Sequence, residues 1–204
     1  MPSEEVLLFI AEKTQEFTRK AEAPLTVPPE PEQVSPRWEE KALPQARRTQ
    51  AIVGLPSVTL YHRDLYALDV LALLLGEGET ARLHYRLKEK ENKVLSVSAS
   101  NWTPSFVQGQ FAISLSLDPS NWPKVLDPIE EEINRLKKDL VTPEELDKAK
   151  KLVLAQHIFG KESVSALASS LGSSYCETGD PYFDESYVQN LRPVSREDIR
   201  EVAR

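Results

Sequence analysis

Apolar positions recur along this chain in two periods, and each change of period predicts an element boundary. Leu7, Ile10, Thr14 and Phe17 repeat at helical spacing behind Ser3, Glu4 and Glu5, a hydroxyl and two carboxylates suited to a helix N-terminus. This predicts a first helix ending near Arg19 or Lys20. Gln50 to Leu55 reads as a short strand stopped by Gly54 and Pro56. Asp64 is placed to cap a helix over Leu65 to Leu75, in which Tyr66 and Asp69 alone interrupt the apolar run. A helix apolar around most of its circumference belongs in an interior, and Gly76 and Gly78 give it an exit. A second helix, Ala81 to about Glu91, carries Leu83 and Leu87 under a Lys/Glu face, with Thr80 as its cap.

Period two follows. Val94 to Asn101 sets Val97 and Ala99 opposite Ser96, Ser98 and Ser100. Gly109 to Leu117 sets Phe111, Ile113, Leu115 and Leu117 opposite Ala112, Ser114 and Ser116. Such strands have one buried face and one light, accessible face. The connection Trp102 to Gln108 has hairpin length, which predicts antiparallel neighbours. Their edge could recruit an extended peptide, unless Gln50 to Leu55 or another domain covers it.

Helical spacing then returns. Val125, Ile129, Ile133, Leu136 and Leu140 form one stripe, within which Pro128 requires a late start or a kinked first turn. Thr142-Pro143-Glu144-Glu145 is a capping box with proline at the first helical position, opening a helix lined by Leu146, Ala149, Val153, Gln156 and Gly160. Small and apolar residues continue through Leu171. Asp180 to Phe183 starts a short helix, and Ser195 with Asp198 caps a last one. Pro24, Pro28, Pro29, Pro31, Pro36 and Pro44 crowd one stretch of the chain and predict an extended connector there. Strand, helices, strand pair and helices, without repeated strand-helix units, give an α+β class: an antiparallel or mixed sheet against a helical layer.

Composition narrows the functions. The 204 residues carry 32 Asp and Glu against 25 Lys and Arg, a net charge of -7 with no basic block. Nucleic-acid binding depends on such a block. No 18-residue apolar run occurs, and one cysteine forms no internal disulfide, leaving cytoplasm and periplasm both open. His62, His84 and His157 form no His-x-x-Glu-His or His-Glu-x-x-His, so no local zinc site is expected. His62 reads as a loop residue and His84 as a partly exposed helix residue. His157 and Cys176 read as a helix-face imidazole and a half-buried thiol, since Glu177 beside the cysteine opposes a thiolate. Gly76-Glu77-Gly78-Glu79-Thr80 lacks the lysine of a phosphate loop.

Several segments in order resemble the second, catalytically silent domain of the peptidase M16 superfamily, which includes pitrilysin, insulinase and mitochondrial processing peptidase. They are Gln50 to Pro56, Tyr66 to Leu71, Leu75 to Gly78 with Ala81-Arg82-Leu83, Leu87-Lys88-Glu89, Ser96 to Ala99, Thr142 to Leu146, and Gly179-Asp180-Pro181 ahead of Leu191 to Ser195. The resemblance implies a LuxS/MPP-like metallohydrolase fold. It divides the chain into residues 1–22, the terminal helix of a preceding domain; 23–49, a proline-rich interdomain connector; and 50–204, the M16-type domain, its last element cut short. It further implies a substrate-enclosing domain of a zinc-dependent endopeptidase or, as the alternative, a domain of an inactive partner or scaffold subunit. No cofactor is expected in this fragment; zinc would sit in the parent's first domain or in a partner. The expected partners are that domain or subunit and an unfolded or extended peptide, with a dimer left open and neither nucleic acid nor membrane. The family's substrate-assisting Arg and Tyr fall on Lys88 and Leu95, and the glycine usual between them falls on Asn92. Lysine keeps the charge without the planar fork, and leucine has no hydroxyl to donate.

Overall fold

The computed structural model describes residues 3–17, 27–28, 30–31 and 33–204. Helix α1 (Ser3–Thr14) stops short of the expected Arg19 or Lys20. The Thr14 hydroxyl bonds back to the Ile10 carbonyl at 2.8 Å, and the Phe17 N–H closes the turn on the Thr14 carbonyl. Residues 18–26 of the expected helix and connector lie outside the described residues. Leu7, Ile10 and Phe17 are all exposed. The described residues of 27–48 form neither helix nor strand, and Trp38 packs against Trp122 with centroids 5.2 Å apart and the rings tilted by 41°.

The core is built around α2 (Leu65–Gly76), buried from Val70 through Gly76. Asp64 holds the N-cap position, but its side chain makes no capping bond. Gly76 is where this helix meets the sheet: a Cβ there would lie 2.0 Å from the Ala99 nitrogen, so the close approach requires glycine.

Strands β1 (Thr49–Pro56), β2 (Ser96–Trp102) and β3 (Gln110–Leu117) form an antiparallel sheet in the order β1-β3-β2. The two strands read as neighbours do pair, and the early strand covers the other edge of β3. One face, with Val97, Ala99, Phe111, Ile113 and Leu115, is buried. The other carries three cross-strand rows: Gln50, Ser116 and Ser96; Ile52, Ser114 and Ser98; Gly54, Ala112 and Ser100. Ile52 is 68% exposed, so no element of the described residues covers this face at β1.

Pro128 is accommodated by the late start. A 3-10 turn, Pro119–Lys124, capped by the Asp118 side chain, precedes α3 (Leu126–Lys138), which places the proline in the first turn where its missing N–H costs no bond. Both halves of the Thr142 box form and open α4 (Pro143–Phe159). The apolar run to Leu171 is not one helix: it breaks after Gly160, and Ser163 caps α5 (Val164–Thr178). Helices α6 (Phe183–Leu191) and α7 (Arg196–Val202) follow, the latter with the Ser195/Asp198 box. The sequence-predicted α+β class is the class of the structure.

Candidate functional site

Three departures from regular backbone cluster around Lys88 and Leu95. The helix expected over 81–91 is π-helical from His84 to Lys90, and the Glu91 N–H bonds the Arg86 carbonyl five residues back at 3.0 Å. Leu87 stays fully buried on its inner side. Asn92 then takes a φ of 49°, the left-handed conformation that asparagine tolerates better than other side-chain-bearing residues. This is the position where the family resemblance calls for glycine. Third, the Leu95 N–H bonds the Ser116 carbonyl at 2.7 Å, although Ser116 already faces Ser96. Two residues opposite one make a β-bulge, which re-aims side chains. Val94 and Val97 are buried while Leu95, 47% exposed, and Ser96 both point outward.

Lys88 is held from within its own helix. Its Nζ lies 3.2 Å from Nε2 of His84 and 3.9 Å from a Glu89 oxygen. An ammonium can only donate, so Nε2 is the accepting nitrogen of this contact, while Nδ1 is a buried atom with no hydrogen-bond partner among the described residues. His84 is a partly exposed residue of this helix, as expected, its side chain 13% exposed. The Lys88 side chain remains 41% exposed and can reach a second acceptor.

Charged contacts hold this segment to the helical layer. Arg86 donates to Glu91 at 3.0 Å, Glu132 at 3.0 Å and Glu131 at 2.5 Å. Burial works against its charge, but the three carboxylates outweigh that and push its pKa above the ordinary value. Arg82 clamps Glu145 bidentately at 2.9 and 3.0 Å. Thr80 does not cap the segment; its hydroxyl receives Lys148 instead.

Behind the sheet lies a polar network that periodicity did not point to. Asp69 accepts from Asn101 and from the Tyr187 hydroxyl, each at 2.7 Å, and Asn101 in turn accepts from Ser57 at 2.5 Å. It ties α2, β2, α6 and the loop after β1 together. Burial raises the Asp69 pKa more than its hydrogen bonds lower it. The signal was in the sequence: Asp69 is the one charge within the otherwise nearly apolar run from Leu65 to Leu75.

The described residues do not fit a zinc ion. His62 accepts the Asp64 N–H, while His84 and His157 each face a lysine, at 3.2 and 3.0 Å. A cation beside an imidazole opposes a second cation on it. Burial, then Lys161, lowers the His157 pKa. Among the described residues no three His, Cys, Asp or Glu side chains gather as metal ligands. Cys176 is exposed on α5 rather than half-buried.

At the far end of the sheet from Leu95, a groove of about 570 Å³ runs between Glu30, Gln33 and Arg37 of the connector and Leu55, Trp102 and Gln110. Among the described residues no strand pairs with the outer edge of β1 or of β2. No helix of the described residues is long and apolar enough to cross a membrane.

The order of these elements is matched by a known family. The profile described as Peptidase M16 inactive domain matches residues 1–153, three quarters of the chain. This chain belongs to the peptidase M16 inactive-domain family. The M16 domain is 25% identical over 161 residues to an uncharacterized zinc protease of Streptomyces coelicolor, which covers 78% of this chain and 35% of that protein. It is 24% identical over 157 residues to an uncharacterized zinc protease of Rickettsia bellii, covering 76% and 38%. A protease from Helicobacter pylori superposes on 100% of this chain and 49% of its own, with a TM-score of 0.87 and 24% identity. The peptidase M16 inactive domain from Pseudomonas fluorescens covers 76% and 37%, with a TM-score of 0.62 and 21% identity. The chain thus spans between about a third and a half of the length of these relatives, and the structural likenesses establish the fold.

Proposed function

We propose that this M16 domain is the non-catalytic, substrate-enclosing part of a zinc-dependent metalloendopeptidase, holding an extended peptide on its sheet while another domain performs the cleavage. The observation that carries this reading is the run of π-helical turn, left-handed Asn92 and bulge, which presents Lys88 and Leu95 at the head of a strand edge that no strand of the described residues pairs with. Irregularities of this kind concentrate at functional sites because they aim side chains that regular periodicity would bury. Backbone groups on the outer edge of β2 would pair with a peptide whatever its sequence. Lys88 would add a point charge toward a peptide carbonyl. Seven residues of β2 span roughly 23 Å, so a peptide of about seven residues would reach from Leu95 to the groove at Trp102.

The zinc expected from the relatives' description would be held by a preceding catalytic-type domain or a partner subunit, and the chemistry it would supply there is Lewis-acid activation of a carbonyl and of water. Residues 1–22 and 23–49 then serve as that domain's last helix and the connector. A scaffold or inactive partner subunit is the second reading, favoured by one observation: Lys88 is already engaged by His84, and Leu95 has no donor. Restoring Lys88→Arg and Leu95→Tyr together discriminates. If the holding role persists, the double variant binds unfolded peptides of about 15 to 30 residues more tightly, on the order of 1 kcal/mol, as one or two added hydrogen bonds give. Unchanged affinity in the double variant would favour the scaffold reading.

A further inference from the structure

The cations around the π-helical turn are held in two different ways. Arg82 donates to both oxygens of Glu145, Arg86 donates to Glu91, Glu131 and Glu132, and Lys93 pairs with Glu91 at 2.6 Å. Each of these charges is offset by a carboxylate within hydrogen-bond distance. Lys88 is held otherwise. Its hydrogen-bond partner among the described residues is Nε2 of His84, at 3.2 Å. An imidazole whose Nε2 accepts is uncharged, because that nitrogen holds no proton. The Glu89 oxygen, at 3.9 Å, lies beyond hydrogen-bond distance on a side chain that is half exposed, where an ion pair contributes little.

We propose that His84 is a positioning residue, a role that rests on the peptide-holding reading: it fixes the Lys88 ammonium at the head of β2 without neutralising it, so that the charge meets an oxygen of the bound peptide undiminished. A carboxylate in place of the imidazole would order the lysine as well but cancel its charge. The His84 side chain is mostly covered, which leaves its ring little freedom to turn away. The turn that carries it is anchored on its other sides, by Arg86 on Glu131 and Glu132 of α3 and by the buried Leu87. An ammonium has three N–H groups, of which the ring takes one, and the exposed part of Lys88 leaves the other two open to a peptide acceptor. A lysine ordered beforehand spares the entropy of immobilising a long side chain at binding, a gain of about two- to tenfold in affinity.

The test is a titration of this chain with an unfolded peptide long enough to span β2, read by backbone amide shifts, in the parent, His84→Phe, His84→Gln, Lys88→Met and the double variant His84→Phe with Lys88→Met. His84→Phe keeps a ring but removes the acceptor, and should weaken binding about two- to tenfold. His84→Gln, whose side-chain oxygen can accept the same ammonium, should recover most of that loss. In the Lys88→Met background His84→Phe should change nothing further, a result that a merely structural role for His84 would not give. Without any peptide, Lys88→Met should move the nitrogen resonance of His84 Nε2, because the ring loses its donor. That substitution of a part-exposed side chain decides the matter if His84→Phe fails to fold. An unmoved nitrogen resonance, undiminished binding by His84→Phe, or an equal effect of His84→Phe with and without Lys88 overturns the proposal; amide shifts that still run along β2 in those cases leave the peptide-holding reading standing. Absence of shifts in every protein, the parent included, contradicts that reading and the proposal together.

Discussion

Replacing Asp69 by alanine should cost far more than replacing it by asparagine, because the network needs an acceptor there more than it needs a charge. Its carboxylate receives Tyr187 and Asn101 at 2.7 Å each, and alanine would leave both donors buried without a partner. At 1–3 kcal/mol per stranded group, partly offset by removing a desolvated charge, the loss comes to about 2–4 kcal/mol. For a chain of this size that lowers Tm by about 4–16 °C. Asparagine has the same shape; its oxygen accepts from Asn101 and its amide donates to the Tyr187 oxygen, so only the Tyr187 proton loses its acceptor, and with the desolvated charge removed as an offset, stability at pH 7 stays within about 1 kcal/mol of the parent. The pH dependence carries the sign. Burial raises the Asp69 pKa in the fold, so the folded state binds this proton more readily than the unfolded chain. Its ionised form opposes folding above the folded pKa, and the opposition disappears as pH falls below about 3.9, the unfolded value. Any advantage of Asp69→Asn at pH 7 must therefore shrink toward pH 3. Urea unfolding of the three proteins between pH 3 and 8 makes the measurement. Asparagine as damaging as alanine, or an advantage that grows in acid, would refute the reasoning.

Gly76→Ala should destabilise by about 1–3 kcal/mol or more, seen as a lower urea midpoint, because its Cβ would sit 2.0 Å from the Ala99 nitrogen and 2.6 Å from the Ser98 carbonyl carbon. Asn92→Gly should leave the urea midpoint nearly unchanged, while Asn92→Val costs about 1–2 kcal/mol for a β-branched residue at positive φ; equal effects would remove the backbone argument. Glu145, Asp184 and Asp198 have lowered pKa values: for Glu145 and Asp184 burial is outweighed by hydrogen bonds from Arg82 and from Ser170 and Lys161, and for Asp198 Ser195 leads. Their stabilisation is present above about pH 4 and lost as pH falls through the folded values, so Tm should drop between pH 5 and 2, and less in Glu145→Gln.

Where one physical signal decided an element, the sequence was enough. The capping box at Thr142 and the alternation from Phe111 to Leu117 predicted elements that the structure contains, because local hydrogen bonding and period two leave few alternatives. Pro128 required a late start, and the turn capped by Asp118 supplies it. The misses came where tertiary contacts override local pattern. Nothing in the spacing of Leu83 and Leu87 distinguishes a π-helix from an α-helix. The bulge at Leu95 interrupts the alternation that Val97 and Ala99 extend backward, and reads only from the neighbouring strand. Lys88 and Leu95 are singled out by family likeness alone, as neither residue announces a chemistry of its own, and the backbone irregularities around them do not read from the sequence.

The measurement that bears most directly on the peptide-holding claim is a backbone amide-shift titration of this domain, alone and joined to the catalytic-type domain of the proposed assembly, with an unfolded peptide long enough to run the full length of β2. The account predicts shifts running from Lys88 through Asn92 and Leu95 along β2 to Trp102, larger in the joined protein and enhanced by Lys88→Arg with Leu95→Tyr. Shifts confined elsewhere, or none in the joined protein, would contradict it.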